Sequence, residues 1–266
     1  MALLKAIMIG DVVGEPGLSA LEKLLPPLIQ KEGADFVVVN GENAAAGFGI
    51  IEADMRRILN AGADVITTGN HVWEKREFWP VMEAEERVLR PMNYPGAAPG
   101  RGCLLVKKNK VPWLVVNLQG RDLMTPIDCP FRAFDSIAAT SIKEAGTVVL
   151  VDFHGESTRE KEALGYYLDG RASVVAGTHT HVQTADERTL PRGSAYITDM
   201  GMTGVIDAVI GMDTSVCLNR SRTQVLYRMT CAAPSGRRNP EVQGILAEID
   251  GDTGKALSIR RLRVSA

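Results

Sequence analysis

Two histidines stand two residues apart in GTHTHVQT, residues 177–184, directly after the apolar run ASVVA, in a chain that has only four histidines in all. The other polar residues able to do chemistry follow the same placement. AIMIGD delivers Asp11, FVVVNGEN delivers Glu42 and Asn43, VITTGNH delivers Asn70 and His71, VVLVDFH delivers His154, and SVVAGTHTH delivers His179 and His181. Every histidine falls within about four residues of the end of an expected strand. The carboxyl ends of parallel strands converge on one edge of a sheet, where α/β proteins place their ligands, so residues collected there can share one site.

Taken singly, most of these residues also have a plainer reading. Asp11 before VVGEPG suits a turn or a helix cap, and Asn40-Gly41 within NGEN is a turn dipeptide. GNH says little alone, and His154 after an apolar strand could be a core histidine satisfied by backbone. The H-x-H pair is different. In an extended segment both rings point the same way, toward one metal pair, whereas burying both for packing would strand several polar nitrogens.

The elements that must position these residues read as stacked β-α-β units. Short β-rich runs (LLKAIMI, DFVVVN, DVITTG) alternate with helical patterns (GLSALEKLLPPLIQKEG, IEADMRRILNAG, WEKREFWPVMEAE). GCLLVKKNKVPWLVVNLQG predicts a hairpin turning at Lys108–Lys110, and PFRAFDSIAATSIKEAG a helix. TVVLVDF, STREKEALGYYLDG and ASVVAG follow as strand, helix, strand. From Gly193 onward, SAYITDMG, TQVLYRMTCAA and the pair GILAEID and ALSIRRLRV around GDTG suggest hairpins. APSGRRNPE, residues 233–241, reads as an exposed flexible loop. The sum is a mixed sheet structure with helices outside. A chain of 266 residues with 45% apolar content can bury a full core as one α/β domain spanning 1–266.

Composition excludes several classes. A net charge of −2 gives no general attraction for duplex nucleic acid or an anionic membrane, so an anionic ligand needs a local site. Cys103, Cys129, Cys217 and Cys231 are scattered, with no C-x-x-C pair, and read as reduced core thiols. MALLKAIMIGD is apolar too briefly for a signal peptide or a membrane span, and the expected location is the cytoplasm.

In order, GD, NGEN, GNH, a strand-end H and GTHTH resemble the metal-binding signature of the calcineurin-like metallophosphoesterases. IGDVVGEPG, NGENAAAGFG, DFHGESTREKEALGYYLDGRAS and GTHTHVQTADERTLPRGSAYITDMGMTG resemble specifically the YmdB family within that superfamily. The longer matches fade after about Val216. The resemblance implies a four-layer α/β/β/α sandwich, with two mixed sheets flanked by helices and a dinuclear site at one end. Residue by residue, it implies Asp11 and His181 on a first metal, Glu42 bridging, and Asn70, His154 and His179 on a second. Most phosphoesterases carry a histidine two residues after the first aspartate; here that position is Val13, and Asn43 resembles the family's substitute ligand on the first metal. A carboxamide oxygen is a weaker ligand than imidazole. The bridging carboxylate is likewise Glu42 where an aspartate is usual.

The implied chemistry follows from charge. Two divalent ions bring four positive charges, Asp11 and Glu42 remove two, and a bridging hydroxide leaves the site about singly positive, suited to an anionic phosphate ester. His71 matches a position that is not a ligand, which implies a general acid for the leaving oxygen. The resemblance favours iron and phosphodiesters such as 2′,3′-cyclic nucleotides; ligand softness alone admits manganese or zinc as well. Asp152, Glu156 and Gln183 flank ligands and either orient imidazoles or serve packing and surface roles. Arg171 reads as a structural salt bridge before a phosphate contact, and Trp73, Trp79 and Trp113 as core. A homo-oligomer is compatible with this reading. Two rivals stand beside it. A di-iron redox enzyme would carry Glu-x-x-His repeats on bundle helices, which are missing here. A regulatory protein acting through a protein partner, its metal site structural, is not distinguished by sequence.

Overall fold

The computed structural model of the chain describes residues 2–141, 146–234 and 239–265. The first part runs β1 (Leu3–Ile9), β2 (Asp11–Val12), α1 (Gly14–Glu32), β3 (Phe36–Asn40), α2 (Glu52–Asn60), β4 (Val65–Thr67), α3 (Trp79–Ala84) and β5 (Val88–Leu89). The hairpin β6 (Cys103–Lys108) and β7 (Val111–Gln119) follows, then α4 (Pro130–Ser141), β8 (Val148–His154), α5 (Thr158–Leu168) and β9 (Val174–Thr178). The last part holds β10 (Arg188–Thr189), β11 (Ala195–Ile197), β12 (Met202–Val205), α6 (Thr214–Thr223), β13 (Pro240–Asp250) and β14 (Ala256–Ser265).

Among the described residues these strands make two mixed sheets. One has the order β2-β12-β13-β1-β3-β4-β5, with β14 also paired to β13; the other has the order β10-β11-β9-β8-β7-β6. β1, β3, β4 and β5 are mutually parallel, and so are β7, β8, β9 and β11. Alternation along the strands decides the layering. Leu4, Ala6 and Met8 of β1 and Phe36 and Val38 of β3 pack with Trp113 and Val115 of β7 and Leu150 of β8 in a core between the sheets. The intervening residues of the first sheet, Ile7, Ile9, Val37 and Val39, instead meet Leu18, Leu21 and Leu25 of α1 and Ile58 of α2. Those of the second, Leu114, Val116, Val149 and Val151, meet Phe134 of α4 and Leu164 of α5. Helix, sheet, sheet and helix are thus four layers with three apolar seams, as expected from the sequence.

Some elements depart from expectation. WEKREFWPVMEAE is not one helix: a 3-10 turn, Asn70–Trp73, ends at its first residue, and a second, Arg76–Phe78, precedes the short α3. TQVLYRMTCAA is no strand: Thr223 closes α6, whose N-cap is Asp213, its side chain accepting from Val216 N–H at 3.0 Å. Beyond Thr223 the consecutive apolar residues Val225, Leu226 and Tyr227 are all solvent-exposed, so they supply no sheet face. α4 is seen to Ser141, and residues 142–145 of its expected span lie outside the described residues, as do 235–238 of APSGRRNPE. The flanks of the latter divide: Ala233 and Pro234 are exposed, whereas Pro240 and Glu241 begin β13. All four cysteines are free, but only Cys217 is buried. The hairpin turns where expected, with Asn109 and Lys110 at φ +52° and +67°.

Candidate metal centre

Because parallel strands of both sheets end on one side, their carboxyl ends bring the strand-end residues together. Asp11 sits on β2, which pairs with β12, so it is a sheet residue and not a turn or cap residue. Glu42 and Asn43 follow β3, Asn70 and His71 follow β4, His154 ends β8, and His179 and His181 follow β9. Asp11, Glu42 and His154 are wholly buried.

His154 Nε2 lies 3.0 Å from Glu42 Oε1, 3.0 Å from Asn70 Oδ1 and 3.0 Å from His179 Nδ1. A second group adjoins it: His181 Nε2 is 3.9 Å from Asp11 Oδ1 and 3.1 Å from the Asn43 carboxamide, which also touches Glu42 Oε1 at 3.1 Å. Glu42 therefore stands between the two groups. Val13 lies in an apolar cluster with Met202, Met212 and Cys217 and offers no ligand.

Hydrogen bonds to the outer ring nitrogens set which lone pairs face inward. The buried Asp152 carboxylate accepts from Thr178 Oγ1 at 2.7 Å, so that hydroxyl is left to accept from His154 Nδ1–H at 3.0 Å, and Nε2 is the inward nitrogen. Asp152 is held in turn by Asn40 Nδ2 at 2.9 Å and by the Thr67 hydroxyl. Glu156 Oε2 lies 3.2 Å from His179 Nε2, which turns Nδ1 inward. His181 Nδ1–H donates to the Ile210 carbonyl at 3.0 Å, leaving Nε2 inward. Asp152 and Glu156 thus orient imidazoles, the former through Thr178. Gln183 does not; its amide donates to the carbonyls of Met200, Gly244 and Leu262. Thr178 and Thr67 went unnoticed in the sequence, where only their position beside strand-end polar residues could have marked them.

The H-x-H segment is not extended. β9 ends at Thr178, and both His179 and His181 have left-handed backbones, φ +101° and +64°. Each costs on the order of 1–3 kcal/mol and must be imposed by its surroundings. Asp199 supplies much of that constraint: it accepts from Thr180 N–H at 3.1 Å and from Thr180 Oγ1 at 2.7 Å, and is itself paired to the buried Lys161 at 2.8 Å. The two histidines therefore reach the site by a pinned bend and not by strand geometry.

The donor set fits a cation. Asp11 Oδ1 and Asn43 Oδ1 are buried acceptors with no partner among the described residues. Lone pairs of Glu42, His154 and His179 converge, and nitrogen and oxygen donors without thiolate suit divalent transition ions. Burial works against charging His154, but Glu42, Asp11 and Asp152 outweigh it and hold the ring up to about 9. Glu42, although buried, is drawn down to about 2 by His154, His71 and His179. Burial raises Asp11 to about 6, and burial with the nearby His154 lowers His179 to about 3.

His71 stands apart from both groups. Its backbone N–H donates to Glu42 Oε2 at 3.3 Å, its Nδ1 lies 3.5 Å from Glu74 Oε1, and its ring meets Phe48 edge-on with centroids 5.0 Å apart. The ring lines an open cavity of about 390 Å³ together with Glu42, Asn43, His179 and His181. Arg171 pairs with Asp135 at 2.6 Å and takes no part in the site, and Trp113 is core, stacked on Phe36. Trp73 and Trp79 are half-buried and pack edge to face.

Comparison with known proteins settles the family. The model of the YmdB-like proteins matches residues 7–262. The chain belongs to that family. It is 43% identical over 262 residues to a Bacillus subtilis protein named 2′,3′-cyclic-nucleotide 2′-phosphodiesterase, covering 98% of this chain and 97% of that one. A Mycoplasma pneumoniae structure described as a novel phosphatase superposes with a TM-score of 0.92 at 30% identity, covering 100% of this chain and 94% of that one. A Thermus thermophilus structure described as a hypothetical protein gives 0.89 at 37% identity, covering 98% and 99%. With these relatives, the YmdB-like chain is an enzyme, a metal-dependent phosphodiesterase. Among its described residues no helix is long and apolar enough to cross a membrane.

Proposed function

We propose that this YmdB-like protein hydrolyses 2′,3′-cyclic nucleotides at a centre of two divalent ions, iron in preference to manganese or zinc. The observation that carries the reading is the convergence of Glu42, Asn70 and His179 on His154 Nε2, each at 3.0 Å, beside the separate Asp11–His181–Asn43 group. Asp11, Asn43 and His181 would hold the first ion, Asn70, His154 and His179 the second, and Glu42 both. When bound, such a pair lowers the pKa of water and neutralises phosphoryl charge.

The chain's own residues do the rest. Water oxygen bonds to phosphorus while the bond from phosphorus to ribose O2′ breaks, leaving a 3′-monoester, and the name of the Bacillus subtilis relative supports that regiochemistry. The departing O2′ takes a proton from His71 Nε2, the attacking water gives up one of its protons to solvent, and solvent reprotonates His71, whose Nδ1 lies 3.5 Å from Glu74 Oε1. Thr178 and Glu156 keep the protons of His154 and His179 on the outward nitrogens, so both rings offer lone pairs inward. The protein acts in the cytoplasm as one domain. The test is metal analysis of purified protein together with product analysis on 2′,3′-cyclic AMP. About two ions per chain and 3′-AMP as product are expected. Metal-replete protein that cleaves simple monoesters but leaves the cyclic diester intact overturns the substrate; full activity with one ion or none overturns the dinuclear centre.

A further inference from the structure

A second cavity, of about 830 Å³, opens beside the metal-site cavity and shares Phe48, Arg220 and Met229 with it. Both volumes fall within the roughly 300–1,000 Å³ of small-molecule sites. The larger one is walled in part by the irregular segment after α6, including Tyr227, which is 41% exposed although nothing in the core needs it there. Its charge is one-sided. Lys75, Arg220 and Arg228 line it against a single acid, Glu15, and that carboxylate is already paired to Arg57 at 2.7 Å. Among the described residues Arg220 has no ion-pair partner. The pairing of an apolar, aromatic-bearing wall with surplus positive charge, continuous with a phosphoester-cleaving centre, matches a ligand that carries both a flat ring and a phosphate.

We infer that this second cavity is the nucleoside subsite: the phosphate lies at the metal centre, the ribose crosses the shared rim at Arg220, and the base rests against Tyr227 and Met229. This rests on the cyclic-nucleotide reading above. The ring of a base is sequence-tolerant in stacking, because every base offers a π-face. The site is therefore expected to accept purine and pyrimidine cyclic nucleotides and to disfavour cyclic phosphates that lack a base.

The test compares 2′,3′-cyclic AMP with glycerol 1,2-cyclic phosphate, which has the same strained ring and no base, in metal-replete wild type, Tyr227→Ala and Tyr227→Phe. Tyr227→Ala is expected to raise KM for the nucleotide roughly five- to tenfold and to leave the glycerol ester within about twofold. Tyr227→Phe should retain the wild-type KM, and unchanged glycerol-ester turnover in both variants shows that they fold. Equal effects on both substrates, or on neither, overturn the subsite while leaving the substrate reading intact. A wild type that opens the glycerol ester but no cyclic nucleotide overturns the substrate reading and the subsite together.

Discussion

Replacing Gly69 by alanine adds one methyl group between Glu42 and His154, at the candidate metal centre. Gly69 has φ −152°, outside the left-handed region that favours glycine, so the effect of the substitution is chiefly steric. The new Cβ falls 2.3 Å from Glu42 Oε2 and 2.3 Å from both Cδ2 and Nε2 of His154. Ordinary contact begins near 3.4 Å, so the carboxylate, the imidazole or the Gly69 turn must retreat by about 1 Å. Overpacking of this kind costs roughly 1–3 kcal/mol of stability, which a folded domain survives. A 1 Å misplacement at a reacting centre costs roughly 10²-fold in rate. The expected Gly69→Ala protein therefore folds, melts a few degrees early, carries less metal than wild type, and loses at least two orders of magnitude in kcat/KM. Circular dichroism, elemental analysis and steady-state kinetics on one preparation check these outcomes. Wild-type metal content and turnover in a folded Gly69→Ala variant refute the claim that Glu42 and His154 meet across this glycine.

Loss of His71 as alanine should leave metal content near normal and slow ribose-ester cleavage roughly 10²–10⁴-fold, while an activated aryl phosphodiester suffers far less; equal losses on the two substrates rule out general acid catalysis. Asn43→Ala should weaken the first ion and leave activity that added Mn²⁺ or Fe²⁺ restores; unchanged metal content would remove Asn43 from the ligands. Thr178→Val breaks the link from Asp152 to His154 and should lower metal affinity roughly 10–100-fold, read by competition with a chelating dye. In the metal-free protein, His154 is held up to about 9 against an ordinary 6.5, so its stabilising contribution is complete below pH 6.5 and is lost as pH rises through about 9. Thermal melts of chelator-treated protein should fall across that window, and His154→Gln should abolish the fall.

The layers and the place of the centre were legible because both rest on strong local signals. Alternation in LLKAIMI and DFVVVN faces two cores at once, and polar residues directly after such strands have nowhere to go but the sheet edge. What stayed hidden depended on partners distant in sequence. The left-handed bend at His179 and His181 is imposed by Asp199 and Lys161, and nothing within GTHTH announces it. Thr178 resembles any strand-end threonine until Asp152 is seen to accept its hydrogen bond. TQVLYRMTCAA has a strand's β-rich composition without a sheet to meet, because the Asp213 cap commits Thr214–Thr223 to helix and Val225 and Leu226 lie in solvent.

The position of β13 bears on how the protein is made. This strand, Pro240–Asp250, lies between β1 and β12 in the first sheet, pairing Leu3 with Asp250 at one end and Gly204 with Glu241 at the other. Gly10 N–H donates to the Gln243 carbonyl at 3.0 Å, one residue before Asp11. A nascent chain thus holds β1 open on that edge until residues 240–250 have left the ribosome, and such distant pairings form slowly. Until then β1 is an unpaired hydrophobic edge of the kind that recruits chaperones or neighbouring chains. Synthesis that stops before residue 240 leaves a chain with every residue of the candidate centre and with β12 to pair with Asp11, but without the strand that joins β12 to β1.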